Sequence, residues 1–346
     1  MMRYTIRYVS LLAGMLTVFS SCEHKDLCFD HEAHAPKSDV HVKAVYEKEW
    51  EHTCEGGPDW EQYPAWESRF GMEYHELCPD APDGLRVQVY NEDGTNNILN
   101  VAPEGDIVRM RPGEHSLLLY NNDTEYIVFD DMNSFASAKA TTRTRTRASY
   151  AGNPYMENTV ENTVNAPDML YGNYMEHYTA ERKIEADALP QTMHPMVFTS
   201  LVRYEFSHGL EYVALARGAL AGMAGAVWLN SGRTSEEAAT ILYDCSVEDF
   251  GTQACVQSFG IPDYPNEHYT TRTERRYGLN LEVRLKNGKV KSIDFDVTDQ
   301  DAVQPQGGVI VVSGIEISDE EGTEGGSGFD VTVKDWGEYE DIELPL

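Results

Sequence analysis

The stretch from Leu279 to Val297 reads LNLEVRLKNGKVKSIDFDV, and it contains two runs in which apolar and polar residues alternate. Alternation with a period of two predicts a pair of half-buried β-strands. A two-residue Asn287-Gly288 turn would bring apolar residues opposite polar ones, whereas a three-residue loop places Leu281 opposite Ile293. We therefore predict a hairpin with a bulged three-residue loop, in which Gly288 takes the left-handed conformation.

Similar short runs recur along the chain, separated by turn residues and without long helices between them. This spacing is typical of all-β sandwiches and not of a parallel α/β sheet. The stretch 150–195 shows no clean period, and we interpret it as a linker or crossover. It would separate an N-terminal β-sandwich over 39–149 from a C-terminal β-sandwich over 196–346. The other predicted strands lie at Val40–Tyr46, Leu85–Val89, Ile107–Met110, His115–Tyr120, Tyr126–Phe129, Val197–Phe206, Val309–Val312 and Phe329–Val333.

The segment Leu210–Leu229 is apolar enough to suggest a membrane span, but Arg217 lies near its middle. A buried charge of this kind costs ~2.5–3.5 kcal/mol on insertion scales. We therefore predict a buried strand followed by a turn of small residues. The sequence Thr-Ser-Glu-Glu from Thr234 has the spacing of a capping box and predicts a short helix that runs to Leu242.

The first 21 residues have the features of a signal peptide. Arg3 and Arg7 precede the apolar run Leu11–Phe19, which is too short to span a bilayer. The residues before Cys22 resemble a bacterial lipobox, so we expect acyl chains such as palmitate on Cys22, and an ordinary cleaved signal is the alternative. The polar, acidic stretch 22–38 would be a tether, and it resembles the export signal of lipoproteins that face outward from the outer membrane.

The charge balance bears on the choice of partner. The chain has 346 residues with 58 Asp+Glu and 27 Lys+Arg, which gives a net charge of −31. Nucleic acid is therefore not expected as a partner, because phosphate binding needs a clustered basic face.

Two pairs of cysteines are candidates for disulfides in an exported protein. Cys245 and Cys255 are equidistant from Phe250, and a hairpin turning there would place them opposite each other. Cys54 and Cys78 bracket an irregular stretch that a disulfide would hold together. Reduced structural cysteines are the alternative for both pairs.

The N-terminal region also carries residues of the type that bind zinc. Their spacing matches no closed four-ligand pattern. We therefore expect a solvated tether without a metal, and no cofactor apart from the covalent lipid. The residues are His24, Cys28, His31, His34 and His41.

An ordered set of short motifs resembles the fimbrillin-like lipoproteins related to anchor and accessory subunits of type V pili. One branch of that family is known only as a domain of unknown function. The resemblance implies two tandem transthyretin-like β-sandwiches, a lipid anchor in the outer membrane, and contacts of the strand-addition type with fimbrial subunits. It implies no catalytic residues. The motifs are His24–His31, Asp39–Tyr46, Gly84–Val87, Tyr90 with Asp93-Gly94, Pro112–Asn121, Gly218–Ala224 and Val331–Trp336.

The chain departs from that family pattern by an insertion over residues 51–82 that is rich in aromatic residues. Trp50, Trp60 and Trp66 could stack on sugar rings, which would make the protein a glycan-binding surface lipoprotein. Aromatic residues also let a long loop bury itself against a domain. We favour the second interpretation, because large exposed apolar patches are uncommon.

Arginine alternates with threonine at Arg143, Arg145 and Arg147. The favoured interpretation is a strand with arginines on one face at a sheet edge. The alternative is an exposed site at Arg147 for an arginine-specific protease. No catalytic signature is present in the sequence, since the nearest match to a nucleophile elbow fails at its last position, and we expect a protein that is not an enzyme.

Overall fold

The computed structural model describes residues 38–102, 104–155, 161–183, 185–265 and 275–323, together with the backbone of 341–344. Strands dominate this part of the chain, and the helices are single turns, as the predicted all-β class requires. The strands are β1 (Ser38–Tyr46), β2 (Leu85–Asn91), β3 (Asn96–Val101), β4 (Asp106–Met110), β5 (Gly113–Tyr120), β6 (Ile127–Asp130), β7 (Lys139–Thr142), β8 (Thr144–Arg147), β9 (Asn162–Asn165), β10 (Tyr171–Ala180), β11 (Asp187–Pro195), β12 (Phe198–His208), β13 (Val213–Ala224), β14 (Ala226–Trp228), β15 (Ala238–Glu248), β16 (Gly251–Ser258), β17 (Gly278–Leu285), β18 (Val290–Asp296), β19 (Gly308–Glu316) and β20 (Asp341–Leu344). The helical turns are Trp66–Phe70, Tyr74–Leu77, Leu210–Tyr212, Thr298–Asp301 and Asp319–Thr323.

The first body is a seven-stranded sheet in the order β3-β2-β5-β10-β11-β1-β4. Strands β1 and β11 run parallel, and the other neighbours are antiparallel. Strands β10 and β11 pair only where Tyr171 and Gly172 meet Pro195 and His194, so the sheet curls about this short join. Its inner face is a continuous apolar core to which both halves of the sheet contribute.

The second body is a ten-stranded sheet that divides at β15. Its main path is β18-β17-β13-β15-β16-β12-β19, while β9, β8 and β20 continue from the first half of β15. The strands on the two sides of β15 in this order face each other across a large apolar core. The hydroxyl groups of Tyr204 and Tyr243 meet in this core at 2.7 Å. The second body is therefore a sandwich, as predicted.

The three-stranded sheet β14-β7-β6 lies between the two bodies. Leu118 and Tyr120 of the first body pack in one cluster with Val227 of β14 and with Phe259, which follows β16 of the second body. This shared cluster joins the two bodies through apolar contacts.

The hairpin that opened the sequence analysis is confirmed in its register. Leu281 stands opposite Ile293, and the Leu285 amide donates to the Lys289 carbonyl at 2.8 Å, which leaves a three-residue loop. Gly288 has a φ of 86°, in the left-handed region.

The prediction of a linker over 150–195 is wrong, because the segment contains β9, β10 and β11. Strands β10 and β11 belong to the first sheet, while β8, which precedes residue 149, belongs to the second. The predicted boundary at residue 149 therefore does not separate the two bodies, whereas the boundary at residue 195 falls between β11 of the first body and β12 of the second. A register shift between Met175 and Tyr178 in β10 hides the period of two from the sequence.

The helix predicted from Thr234 to Leu242 is also wrong, because β15 covers most of it and pairs with β13 on one side and β9 on the other. The Thr234 hydroxyl donates to the Ile261 carbonyl at 2.7 Å and does not cap a helix. By contrast, Leu210–Leu229 contains the predicted buried strand.

No helix in the described ranges is long and apolar enough to cross a membrane. The signal peptide and the predicted strand Phe329–Val333 lie outside the described residues. So does the predicted tether 22–38 with Cys22, apart from Ser38, which begins β1.

Candidate functional site

Strand β8 carries the alternating arginines and lies inside the second sheet. The Arg147 side chain is only 5% exposed, and it donates to the carbonyl oxygens of Gly218 at 3.1 Å and Tyr243 at 3.2 Å. Arg145 donates to the Leu242 carbonyl at 3.2 Å. The predicted strand is therefore confirmed at Thr144–Arg147, but its predicted position at a sheet edge is wrong, because β9 and β20 flank it on its two sides. The alternative of an exposed protease site at Arg147 is wrong, because the guanidinium is buried against backbone carbonyls of neighbouring strands.

The two sides of β8 have different neighbours. Strand β9 pairs with it at Thr144 and Val164, and β20 pairs with it along its whole length. The register places Asp341 beside Arg147 and Glu343 beside Arg145. In this register the acidic residues of β20 pair with the arginines of β8, and the apolar residues of β20 pair with its threonines. The side of β8 that β20 covers, here called the β8 edge, accepts an extended acidic segment through main-chain pairing.

The insertion over 51–82 packs on the outer face of the second body. Trp50 and Trp66 are 1% and 7% exposed, and they form an apolar cluster with Phe70, Leu201 of β12 and Val309 of β19. The interpretation that the loop buries itself is confirmed. A glycan platform built from the three tryptophans is wrong, because two of the three rings are covered. The third ring, that of Trp60, is half-buried and donates from Nε1 to Gln304 Oε1 at 2.6 Å.

Polar contacts fix the same insertion to the second body. The Thr199 amide donates to the Trp50 carbonyl at 2.7 Å, and the His52 amide donates to the Gln306 carbonyl at 2.8 Å. Arg69 forms an ion pair with Glu205 at 2.6 Å. Because the insertion leaves from β1 of the first body, it acts as a strap between the two bodies.

Arg203 is a residue of this strap contact that sequence reasoning missed. Its guanidinium lies 3.6 Å from the centre of the Phe250 ring and donates to the Phe70 carbonyl at 3.3 Å. Burial lowers the pKa of Arg203, and the nearby charge of Arg69 lowers it further, while Glu205 opposes both. The sequence of β12 gave no indication that Arg203 contacts the strap, because Phe70 and Phe250 are distant from it in sequence.

The four cysteines of the described part are all free. In the hairpin of β15 and β16, Ser246 pairs with Gln253 and Glu248 with Gly251, and this register, continued by one pair, matches Cys245 with Ala254 and not with Cys255. Cys255 therefore points to the other face of the sheet, and the predicted Cys245–Cys255 disulfide is wrong by one residue of register.

The predicted Cys54–Cys78 disulfide is absent as well. The Cys54 thiol donates to the Val303 carbonyl at 3.0 Å, whereas Cys78 contacts His75 Nδ1 at 4.0 Å. Burial raises the pKa of both thiols. The thiols of Cys54 and Cys78 therefore contact different groups.

Of the histidines and cysteine considered as zinc ligands, only His41 is described, and it lies on the exposed face of β1. Within the ranges that the structure covers, no three metal-binding side chains come together. His24, Cys28, His31 and His34 lie outside these ranges.

Comparisons with known proteins cover both bodies. A protein of Bacteroides ovatus named "Putative fimbrium anchoring subunit Fim4B" is 23% identical over 319 residues, which are 83% of this chain and 92% of the relative. The crystal structure of a "putative adhesin" from Bacteroides ovatus superposes with a TM-score of 0.57 at 22% identity, covering 86% of this chain and 97% of that one. The fimbrial anchor protein Mfa2 from Porphyromonas gingivalis gives a TM-score of 0.42 at 10% identity, over 80% of this chain and 90% of that one.

The model of one protein family matches the middle of the chain. It is described as "Domain of unknown function (DUF5119)" and matches residues 65–244, which extend from the strap into β15. The chain therefore belongs to the DUF5119 family.

Proposed function

We propose that this protein is an anchoring or accessory subunit of a fimbria, with a binding role and not a catalytic one. The observation that carries the proposal is the extent of the match to a fimbrium anchoring subunit, which spans 83% of this chain and 92% of the relative. A match of that length takes in both sheet bodies and is too long to reflect one shared module. The crystal structure of the "putative adhesin", with a TM-score of 0.57, supports the common fold.

The β8 edge is the proposed place where a strand of a neighbouring subunit binds, taking the position that β20 occupies in this structure. Main-chain hydrogen bonds to an exposed edge provide affinity in strand addition, and alternate side chains provide specificity. Here the arginines at Arg145 and Arg147 favour an incoming strand with acidic residues at every second position. Strand β20 has that pattern and supports this geometry.

A synthetic peptide of residues 340–346, EDIELPL, tests strand addition directly. The peptide should bind a chain that ends at residue 340, and it should bind the full-length chain more weakly because β20 already covers the β8 edge. A peptide with Ile342→Pro is the matched control, since proline cannot donate to a sheet ladder. Equal binding of both peptides to the shortened chain would contradict the proposal.

If the shortened chain does not fold, a second experiment on the full-length chain still tests the pairing of β20 with β8. Thr146 and Ile342 are register partners across the β8 edge. Cysteines introduced at these two positions of the full-length chain should form a disulfide on mild oxidation. Failure of the pair to form would contradict the pairing itself.

We further propose that acyl chains on Cys22 hold the protein in the outer membrane, facing outward, with residues 22–38 as the tether. Growth with a palmitate analogue should label the native protein and leave a Cys22→Ala variant unlabelled. Two or more acyl chains give stable membrane binding, so the variant should also leave the membrane fraction. An unlabelled native protein would refute the lipid anchor.

A further inference from the structure

A pocket with a volume of about 290 Å³ lies at one end of the first body, where three segments meet. The end of the strap and the residue after it contribute residues 80–83, and the loop after β5 contributes Asn121 and Asp123. The start of β10 and the residues before it contribute Asp168, Met169 and Tyr171. We call it the Tyr171 pocket. It is separate from the β8 edge, which belongs to the second body.

Four carboxylates line the Tyr171 pocket, and they have two different roles. Asp168 Oδ2 accepts backbone amides at the start of β6, including that of Ile127 at 3.1 Å, and Asp123 Oδ2 accepts the Asp83 amide at 2.7 Å. These bonds hold the loops in place. The carboxylates of Asp80 and Asp83 are exposed and accept no hydrogen bond from any residue that the structure describes. They remain available to a ligand.

Tyr171 provides an independent indication of a ligand. Its side chain is 0% exposed, it lines the pocket, and its hydroxyl has no hydrogen-bond partner among the described residues. A buried hydroxyl without a partner is unfavourable, so a site of this kind is completed by a group that bonds to it. Burial raises the pKa of Tyr171 to about 12, with smaller contributions from Cys78, Tyr46 and Asp80. The phenol is therefore neutral and offers its oxygen as an acceptor.

The remaining wall of the pocket is apolar and is formed by Ala81, Pro82 and Met169. Carboxylates at the rim, a phenol oxygen in the interior and an apolar wall together match a long aliphatic chain that ends in a cation. Lysine has this form, since its four-carbon stem carries an ammonium group with three donors. A metal ion is a poorer match, because the described residues contain no cluster of three metal ligands.

We propose that the Tyr171 pocket binds the side chain of a lysine presented by a protein partner. The identification of the partner as another fimbrial subunit rests on the proposed function. The preference of the pocket for a lysine side chain is independent of that function, because it follows from the side chains that line the pocket. In the complex, the ammonium group donates to the Tyr171 hydroxyl oxygen and to Asp80, and the stem lies along Met169.

The probe for the test is Nα-acetyl-L-lysine N-methylamide, titrated into the full-length protein labelled with ¹³C in its methionine methyl groups. The Met169 methyl resonance should shift and saturate. The same compound acetylated on Nε keeps the shape and loses the charge, so it should not bind. Tyr171→Phe should weaken binding by about tenfold, because a hydrogen bond to a charged group is lost. Asp80→Asn should weaken it as well.

The control variant is Tyr174→Phe, which removes a hydroxyl from an exposed tyrosine of the same strand and leaves the pocket unchanged. It should bind the probe like the native protein. Since neither tyrosine variant alters the net charge, a general attraction of cations to this acidic protein would act equally on both. Equal affinities for the two variants, or equal binding of the charged and neutral compounds, would overturn the proposal.

This titration is independent of fibre formation. If the pocket binds the probe while cells lacking the protein make and retain normal fibres, the fimbrial role fails and the lysine pocket stands. If the probe does not bind while those cells lose their fibres, the pocket fails and the fimbrial role stands.

Discussion

Replacing Trp66 with alanine should detach the strap and destabilise the protein. The Trp66 ring is 7% exposed, and its centre lies 4.3 Å from that of Phe70 and 5.9 Å from that of Trp50. A buried aromatic side chain removes about 150–250 Å² from water. At ~25 cal/mol per Å² this burial contributes about 4–6 kcal/mol. Alanine retains a small part of it, so we expect a loss of about 3–5 kcal/mol in the free energy of unfolding.

Two further variants separate packing from other effects. Trp66→Phe should cost clearly less than Trp66→Ala, because a phenyl ring remains in the cluster and the lost Nε1 group has no hydrogen-bond partner among the described residues. Tyr63→Ala removes a ring that is 37% exposed and belongs to the same insertion, so its effect should be much smaller than that of Trp66→Ala.

Urea unfolding followed by circular dichroism gives the free energies, and hydrogen exchange over residues 51–82 reports on the strap itself. We expect Trp66→Ala to lower the unfolding midpoint and to accelerate exchange in the strap. Native stability and native exchange in this variant would refute the conclusion that the aromatic residues serve to pack the strap on the second body.

Three further predictions test the fold and its ionisation. Burial raises the pKa of Asp301 from 3.8 to about 7, so the folded state retains the proton longer than the unfolded chain. Stability should therefore fall as pH rises from about 4 to about 7, and Asp301→Asn should flatten this dependence in urea titrations at several pH values. Gly218→Ala should cost about 1–3 kcal/mol in thermal unfolding, because its Cβ would lie 2.4 Å from the Tyr243 ring, whereas Gly225→Ala meets only ordinary contacts and should be nearly neutral. Gly288→Ala should cost about 1–2 kcal/mol because of its positive φ, and Gly288→Asn should restore part of that loss; equal stability of all three hairpins would contradict the left-handed loop.

The parts of the fold that depend on local pattern could be predicted from sequence. The hairpin over Leu279–Val297 was predicted with its correct register, because alternation and loop length are properties of neighbouring residues. The buried strand in Leu210–Leu229 followed from one charge in an apolar run. The residue that pairs with this charge could not be predicted from the sequence. Arg217 forms an ion pair with Glu282 at 2.7 Å, and that contact depends on how strands distant in sequence align.

The errors share a non-local origin. Cys245 and Cys255 seemed opposite each other, but a turn shorter by one residue turned one side chain to the other face. The sequence around Arg147 resembles a site for an arginine-specific protease. The Arg147 guanidinium is nevertheless buried, and it donates to carbonyl oxygens of residues about seventy and ninety-six positions away. The packing of the insertion was predicted correctly, but the sequence did not indicate that the surface receiving its aromatic residues belongs to the second body.

Composition of purified fimbriae is the most direct test of the proposed role. Fimbriae sheared from wild-type cells should contain this protein, and cells in which its gene is deleted should release their fimbriae into the medium or fail to assemble them. Fimbriae that never contain the protein, together with normal fimbrial attachment in the deletion strain, would contradict the account.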